Sequence, residues 1–280
     1  MNTRITAEKA LKCFKTLRIM SHLKRDADLE QVEKIITELV EQTEGNVDAI
    51  LSQKVKDIED KITRNALYRM FLAYKFNVSA HYDGSSDYIE NQRNNSFIIR
   101  YPDSSVMVSF EGEILVPRGK AKLYCVGNWA VCAQDTLTGM IGLYDYRGKV
   151  ICPCICQSAY TAEFSNEIGY VTYNHLKVDL MITTIENAED LKQIESSIFE
   201  HAGSCNRAYF KSETYNGAIV FSHWIYDNDD DDDFIEVEPG VTVSRDWAAQ
   251  RGYDVNKPAI DKNEVFRTLI EQVSKYCEPL

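Results

Sequence analysis

The sequence lacks the features by which membrane proteins, secreted proteins and many enzymes are recognised. No segment approaches the roughly 18 apolar residues that a membrane span needs. The first residues lead into an amphipathic helix rather than into the apolar core of a secretory signal. The sequence has no G-x-S-x-G elbow, phosphate-binding loop or dinucleotide fingerprint, and its five histidines are scattered. We therefore expect a cytoplasmic protein with no membrane association, no cofactor and no catalytic site.

Positive charge is also scarce, and it is unevenly distributed. There are 31 Lys and Arg residues against 43 Asp and Glu residues, which gives a net charge of −12 at pH 7. Residues 1–76 hold 14 basic and 12 acidic residues, whereas residues 77–280 hold 17 and 31, a charge of −14. Because nucleic-acid binding depends on cationic side chains that displace counterions, we expect no direct nucleic-acid binding. A basic partner, or one that itself holds nucleic acid, fits this charge better.

Eight cysteines stand out against these shortages. Without a secretory signal they are expected to be reduced thiols rather than four disulfides. Cys152, Cys154 and Cys156 alternate along one predicted strand and should face the same side, with Cys125 and Cys132 on neighbouring strands. Core packing is the favoured interpretation, because cysteine is among the most buried residue types. Zinc binding and redox chemistry are alternatives, but the C-P-C-I-C spacing is not that of a zinc knuckle and no metal is assigned.

An internal repeat is the most informative feature that the sequence does contain. Residues 110–117 align with residues 146–153, and Tyr124 aligns with Tyr160. Each copy has a glycine, Gly112 or Gly148, followed by three apolar residues and a proline. The glycine permits the positive φ of a tight hairpin turn, and the apolar residues predict the outgoing strand. The proline is expected to end the strand pairing, because it has no N–H to donate.

The second copy resembles the WG-repeat family. Units of that family run roughly G-x-W-G-aliphatic-x-D-x-x-G-x-aliphatic₃-P, followed by a tyrosine and then F-x-x-G-x-A-x-V, and here Ile141 stands at the tryptophan position. The resemblance extends loosely over residues 106–173, and it implies a β scaffold of small hairpins, generally associated with binding, with no catalytic set to carry over. The matching residues are Gly139, Gly142, Asp145, Gly148, Pro153, Tyr160, Phe164, Gly169 and Val171.

Hydrophobic periodicity divides the chain into three segments. Residues 1–78 are predicted to be helical, with a first helix that Thr6 caps. Residues 79–184 form a predicted antiparallel β region, whose start, 79–96, is polar and reads as a linker or exposed loop. Residues 185–280 mix strands and helices and end in a helix from about 263 to 277, in which Phe266, Leu269, Ile270 and Val273 are spaced for one buried face. The predicted fold class is therefore α+β, with N-terminal helices, a central β-meander of short hairpins and a mixed C-terminal module.

A third predicted helix, starting after Asn46, carries apolar residues at nearly heptad spacing. This spacing suits a helix-mediated contact between copies, which predicts a homo-oligomer. The alternative is an ordinary helix that packs on its neighbours within one chain. The residues of this seam are Val47, Leu51, Val55, Ile58 and Ile62.

The strongest charge anomaly is an acidic run near the C-terminal end of the sequence. Its acids fall at several positions of a calcium loop, but the sixth position holds Asp232, where an EF-hand requires glycine. A solvated loop is one interpretation, loose divalent binding is another, and contact with a basic partner is a third. The residues assigned to a partner contact are Asp227, Asp229, Asp230, Asp231, Asp232, Asp233 and Glu236.

These features favour a non-enzymatic protein-binding module, oligomeric and cytoplasmic, that acts through protein–protein contacts. The first alternative is an acidic inhibitor or decoy that occupies a nucleic-acid-processing protein, as in phage–host conflict. A weaker alternative is an enzyme that depends on a divalent metal held by the acidic run.

Overall fold

The computed structural model describes most of the chain as two compact units, residues Met1–Leu123 (unit 1) and Tyr124–Leu280 (unit 2). The described residues are 3–20, 29–90, 96–119, 121–126, 130–161, 170–175, 178–185, 204–211, 217–225, 234–239 and 241–280. The predicted α+β class is confirmed: helices come first, antiparallel hairpin sheets follow, and strands and then helices make up the C-terminal part. The predicted segment boundaries at 78 and 184 differ from this division, because the first sheet shares a core with the helices.

The helical part of unit 1 begins where the sequence predicts. Thr6 accepts a hydrogen bond from the Lys9 amide and so caps α1 (Ala7–Met20). The helix α2 (Leu29–Gln42) follows, and a short α3 (Val47–Ala49) is capped by Asn46, whose side chain accepts from the amides of residues 48 and 49.

The third helix is not continuous, contrary to the prediction. The chain passes from α3 into a π-helical turn (Ile50–Lys54) and a 3-10 turn (Val55–Asp57), and it then leaves helical geometry. A new helix, α4 (Lys61–Phe76), starts at Asp60, whose carboxylate accepts a hydrogen bond from the Thr63 amide. The residues at heptad spacing therefore belong to two separate helices and the turns between them, rather than to one continuous seam.

Most of the seam residues are buried within unit 1, as expected for the alternative of packing within one chain, and the oligomer contact stays a prediction. Val47, Leu51 and Val55 are fully buried in the core of unit 1, and Ile58 packs against that core. Only Ile62 faces solvent, with 53% of its surface exposed. Four of the five residues therefore pack within their own chain, as the alternative interpretation expects. The oligomeric state itself stays a prediction.

The strands form antiparallel sheets. Unit 1 contains one sheet of order β1-β2-β3-β4, the next sheet has order β5-β6-β7-β8, the third has order β12-β13-β11-β10-β9, and β14 and β15 pair as a hairpin. The strands are β1 (Tyr88–Ile89), β2 (Ser96–Arg100), β3 (Ser105–Ser109), β4 (Ile114–Val116), β5 (Ala121–Val126), β6 (Ala130–Asp135), β7 (Ile141–Asp145), β8 (Val150–Cys156), β9 (Ser158–Thr161), β10 (Tyr170–His175), β11 (Val178–Ile185), β12 (Ser204–Lys211), β13 (Ala218–Ile225), β14 (Phe234–Glu238) and β15 (Val241–Ser244).

The two predicted hairpin turns are confirmed and have the same geometry. Gly112 between β3 and β4 has φ +77°, and Gly148 between β7 and β8 has φ +82°. In the first hairpin the Gly112 amide donates to the Ser109 carbonyl at 3.0 Å, and in the second the Gly148 amide donates to Asp145 at 3.0 Å. The positive φ explains why each turn needs glycine.

The equivalence of the two hairpins extends into strand pairing. In the first hairpin Val108 pairs with Ile114 and Met107 with Val116, which leaves Leu115 as a bulge. In the second hairpin the pairs are Tyr144 with Val150 and Leu143 with Cys152, which leaves Ile151 as a bulge. Every residue of one set lies 36 positions after its counterpart. The bulge is therefore part of the repeat, as β-bulges commonly are in related structures.

The second proline does not act as predicted. Pairing ends at Val116, immediately before Pro117, in the first hairpin, but β8 continues through Pro153 to Cys156. The strand accommodates this proline in a second irregularity, because Ile141 pairs with Cys156 while Leu143 pairs with Cys152. Proline in a bulge leaves no ladder hydrogen bond unmade.

Unit 2 closes with two helices, α5 (Arg245–Gln250) and α6 (Lys262–Val273). Phe266, Leu269 and Val273 bury one face of α6 in a core with residues of β6, β7, β8, β11 and β13, as the sequence predicts. Beyond α6, the Leu280 amide donates to the Tyr209 carbonyl and the Lys211 amide donates to the Glu278 carbonyl, so the last residues pair with β12. Within the described ranges, no helix has the length and apolar character required to cross a bilayer.

Candidate binding cleft

A cleft of about 610 Å³ lies entirely within unit 1. Three elements form it: one face of α1, one face of α4, and the loop that follows α4, residues 78–87. Its volume is in the range of ordinary ligand sites, about 300–1,000 Å³. The loop belongs to the segment 79–96, which the sequence predicted to be a linker or an exposed loop, and it is part of unit 1 rather than a connection between units.

The α1 wall follows from helical spacing. Lys9, Cys13, Thr16 and Leu17 are three or four residues apart, so they lie on one face of the helix. Leu17 is buried at the base of this face, and the exposed Thr16 lies nearer the rim. The Lys9 ammonium lies 4.9 Å from the centre of the Tyr74 ring, which joins this wall to α4.

The α4 wall supplies the apolar floor and the turn into the loop. Met70 and Ala73 are buried on the cleft face of α4, and the Tyr74 hydroxyl donates to the Arg4 carbonyl. Asn77 ends the helix with φ +56°, a left-handed conformation that asparagine tolerates better than most residues. The loop therefore leaves α4 at a fixed angle and runs back along the cleft.

Hydrogen bonds hold the loop in one conformation. The Ser79 amide donates to the Asp87 carbonyl and the Ile89 amide donates to the Ser79 carbonyl, both at 2.9 Å. The half-buried guanidinium of Arg69 donates to the carbonyls of Ala80 and Glu90, at 3.2 and 3.0 Å. A ligand would meet a preorganised rim, which reduces the ordering cost of binding.

The loop places the carboxylates of Asp83 and Asp87 and the imidazole of His81 at the cleft. The Asp83 carboxylate accepts from the Ser79 hydroxyl at 2.8 Å and from the Ser85 amide at 2.9 Å. Hydrogen bonds from Ser85, and then from Ser79, lower the pKa of Asp83 to about 2. The Nε2 atom of His81 is buried and has no hydrogen-bond partner in the part of the chain that the structure describes. An unsatisfied buried polar atom is costly, so a partner for it would stabilise the site.

Cys13 is the thiol of the cleft, and its environment does not activate it. Burial raises the pKa of this thiol, although the charges of Lys9 and Lys12 act in the opposite direction. A nucleophilic cysteine needs a lowered pKa, because the thiolate is the reactive form. The arrangement therefore suits non-covalent recognition better than covalent catalysis.

The predicted partner-binding residues lie elsewhere. The run Asp227–Asp233 falls outside the described residues, and Glu236 is exposed on β14. Glu236 lines a second cleft of about 530 Å³ in unit 2, where the Lys257 ammonium donates to the carbonyls of Glu236 and Val237. The interpretations of the acidic run therefore stay predictions.

The cysteines of β8 lie mainly in the core. Cys152 and Cys156 are fully buried, whereas Cys154 is half-buried and its thiol approaches the Ala133 carbonyl at 3.5 Å. The two irregularities of β8 interrupt the strict alternation that the prediction assumed. A hydrogen bond with Cys156, together with burial, raises the pKa of Cys152 well above its ordinary value and keeps this thiol protonated. In the described ranges, no group of three or more His, Cys, Asp or Glu side chains is arranged to hold a metal.

Sequence reasoning missed the cleft. Polar residues at helical spacing on α1, Lys9, Cys13 and Thr16, were the available signal, since a fully solvated face would not include a cysteine. The contribution of Asp83 and His81 had no such signal, because it depends on the path of the loop. The chain matches no protein-family profile, no curated protein and no solved structure. Its resemblance to WG repeats therefore remains a prediction from the sequence.

Proposed function

We propose that this protein is a non-enzymatic protein-binding module that takes a segment of a partner into the unit 1 cleft. The observation that carries the proposal is the composition of the cleft: a buried apolar floor of Leu17, Met70 and Ala73 beneath a polar rim. Apolar contact supplies affinity at such sites, and a few fixed polar groups supply orientation. The rim offers serine hydroxyls, an asparagine and an imidazole along its length, which suits the amide groups of a peptide.

Two further features support binding over catalysis. The raised pKa of the Cys13 thiol disfavours a covalent intermediate at this side chain. The resemblance of residues 106–173 to WG repeats implies a scaffold that is generally associated with binding. Assembly into a homo-oligomer is a separate proposal, and light scattering of the purified chain tests it.

The cleft can be blocked at a position that should not disturb the core. Thr16→Trp places a large ring at the rim, where the native side chain is exposed and, among the described residues, bonds only to the Lys12 carbonyl. Lys34→Trp is the matched control, because Lys34 is exposed on α2 and does not line the cleft. Partners captured by the tagged wild-type chain should be retained by Lys34→Trp and lost by Thr16→Trp.

Alkylation of cysteines provides a second readout that locates the contact. Iodoacetamide labelling of the complex, mapped by mass spectrometry, should show protection of Cys13 and unchanged labelling of Cys154, which lies in unit 2. Equal capture by both tryptophan variants, together with unprotected Cys13 in the complex, would contradict the proposal.

A further inference from the structure

The two acidic side chains of the cleft, Asp83 and Asp87, have no cationic partner among the described residues, whereas several other carboxylates of unit 1 are ion-paired. Glu90 pairs with Arg100 at 2.8 Å, Asp48 with Lys75 at 2.6 Å, and Asp103 with Arg118 at 3.5 Å. Asp83 and Asp87 have hydrogen bonds from serines but no ion pair with any described residue. The cleft therefore presents uncompensated negative charge at its loop side.

These carboxylates are also fixed in place before any ligand arrives. Asp83 is held by Ser79 and Ser85, and the Ser86 hydroxyl donates to Asp87 at 2.7 Å. Because hydrogen bonds from Ser85 and Ser79 lower the pKa of Asp83 to about 2, this side chain is ionised throughout the physiological range. Oriented carboxylates are the preferred partners of ammonium and guanidinium groups.

The α1 wall and the apolar floor of the cleft limit what kind of positively charged ligand could bind. Lys9 lies over the Tyr74 ring at the α1 side. Its positive charge would repel the charged group of a cationic ligand there and favour the loop side. The floor of Leu17 and Met70 is apolar and buried, and it would accept methylene groups. The buried Nε2 of His81 adds a hydrogen-bonding atom in the same wall as the carboxylates.

We propose that the segment bound in this cleft carries a lysine or arginine side chain, with its aliphatic stem on the Leu17 and Met70 floor and its charged end at Asp83 and Asp87. This inference rests on the proposed function and names the chemistry of the partner. Long basic side chains bury their stems on apolar surface while their charged ends remain at a polar rim.

The test uses the full chain and acetylated, amidated hexapeptide pools in which one position is fixed. The fixed residue is arginine, citrulline or glutamate, and binding is measured by fluorescence polarisation. Citrulline keeps the length and shape of arginine but removes its charge. The arginine pool should bind about tenfold more tightly than the citrulline pool, since only arginine can form a charge-assisted hydrogen bond with the fixed carboxylates. The glutamate pool should bind most weakly.

Variants identify the carboxylates responsible. Asp83→Asn combined with Asp87→Asn should remove the preference for arginine over citrulline and flatten its salt dependence. Asp103→Asn is the matched control, because Asp103 is an exposed carboxylate that accepts from the neighbouring Ser104 but lies outside the cleft. It should keep the preference. Circular dichroism verifies folding, and the comparison of pools on the wild-type chain needs no variant.

The outcomes separate this inference from the proposed function. Equal binding of the arginine and citrulline pools, with binding still lost in Thr16→Trp, would overturn the inference and leave the cleft as a peptide site. Failure of every pool to protect Cys13, with partner capture unchanged in Thr16→Trp, would overturn both. Spermidine and calcium chloride, each tested alone, examine whether the carboxylates bind a small cation instead of a peptide side chain. Protection of Cys13 by either, without an advantage for arginine peptides, would assign the carboxylates to a small cation and reject the basic side chain.

Discussion

The first and second hairpins share a turn and a bulge, yet the strand that leaves the turn ends in one and continues in the other. Both contain a proline at the same repeat position, Pro117 or Pro153. The difference lies on the neighbouring strand, where Val106 of β3 corresponds to Gly142 of β7. A Cβ on Gly142 would lie 2.5 Å from the Cys152 carbonyl oxygen and 2.6–2.7 Å from backbone atoms of the next two residues.

This comparison shows that the proline does not decide the length of the strand. At Val106 the neighbouring strand carries a side chain where the second hairpin has none, and pairing ends at Val116. With glycine at 142, the irregular backbone of β8 packs directly on β7 and pairing resumes at Cys156. A close approach of two backbones is one of the reasons for glycine inside a strand.

The largest effect is expected from Gly142→Ala, which tests this explanation directly. The added methyl group would overlap three backbone atoms that have no flexible end to move aside. Overpacking of this kind should lower the free energy of unfolding by about 3 kcal/mol. Urea denaturation followed by circular dichroism measures it. A loss below about 1 kcal/mol would show that β8 shifts easily and that glycine is not required there.

A smaller effect is expected from Gly112→Ala in the first hairpin. Alanine at φ +77° is strained, and its Cβ would lie 2.8 Å from the Lys75 ammonium and 3.2 Å from two leucine side chains. These neighbours are the ends of side chains and can move, although Lys75 also donates to the Gly112 carbonyl and pairs with Asp48. We expect a loss of about 2 kcal/mol.

Gly139→Ala is the matched control for this prediction. Gly139 has φ +72°, but no atom lies within 4 Å of the position that its Cβ would take. Only the backbone strain remains, so the loss should be about 1 kcal/mol. Equal losses for Gly112→Ala and Gly139→Ala would indicate that the contacts of Gly112 with Lys75 and the leucines contribute nothing.

The smallest effect is expected at Asp135, where the turn between β6 and β7 is held by a side chain. Hydrogen bonds from Thr138 and then from the Leu137 amide keep the pKa of Asp135 below its ordinary value of 3.8. A lowered folded-state pKa stabilises the fold above pH 3.8, and this stabilisation is lost as the pH falls through the folded value. The stability difference between wild type and Asp135→Ala should therefore be constant near neutral pH and shrink below about pH 4.

Denaturant titrations at several pH values check this prediction. Leu137→Ala, in the same turn, is the control, because Leu137 is 95% exposed and has no titratable group. Its stability difference from wild type should not vary with pH. A difference for Asp135→Ala that persists unchanged at pH 2 would contradict the role of the carboxylate.

The sequence predicts what local rules determine, and it fails where the outcome depends on a distant neighbour. The cap at Thr6, the buried face of α6 and the positive φ of Gly112 and Gly148 all follow from nearby residues. The continuation of β8 depends on Gly142, which belongs to another strand. The break between α3 and α4 likewise could not be predicted from the apolar spacing, because Val47, Leu51 and Val55 are buried in one core although the helix that carries them is interrupted.

The candidate site could not be predicted from the sequence, because it too depends on residues that are distant along the chain. Helical spacing could place Lys9, Cys13 and Thr16 on one face, but nothing in the local sequence indicates that a loop 70 residues later passes that face. Asp83 and His81 acquire their position from Asn77, whose left-handed conformation turns the chain, and from Arg69, which holds the loop. Loops positioned by such long-range contacts are where binding residues are commonly found.

The pairing of the last residues with β12 has a consequence for the behaviour of the protein in concentrated solution. β12 is the outermost strand of its sheet, and an open strand edge is a template for joining other molecules. The main-chain bonds at Tyr209 and Lys211 are already taken by Leu280 and Glu278. Those residues therefore protect the edge against aggregation, and their deletion would favour the formation of strand-linked aggregates.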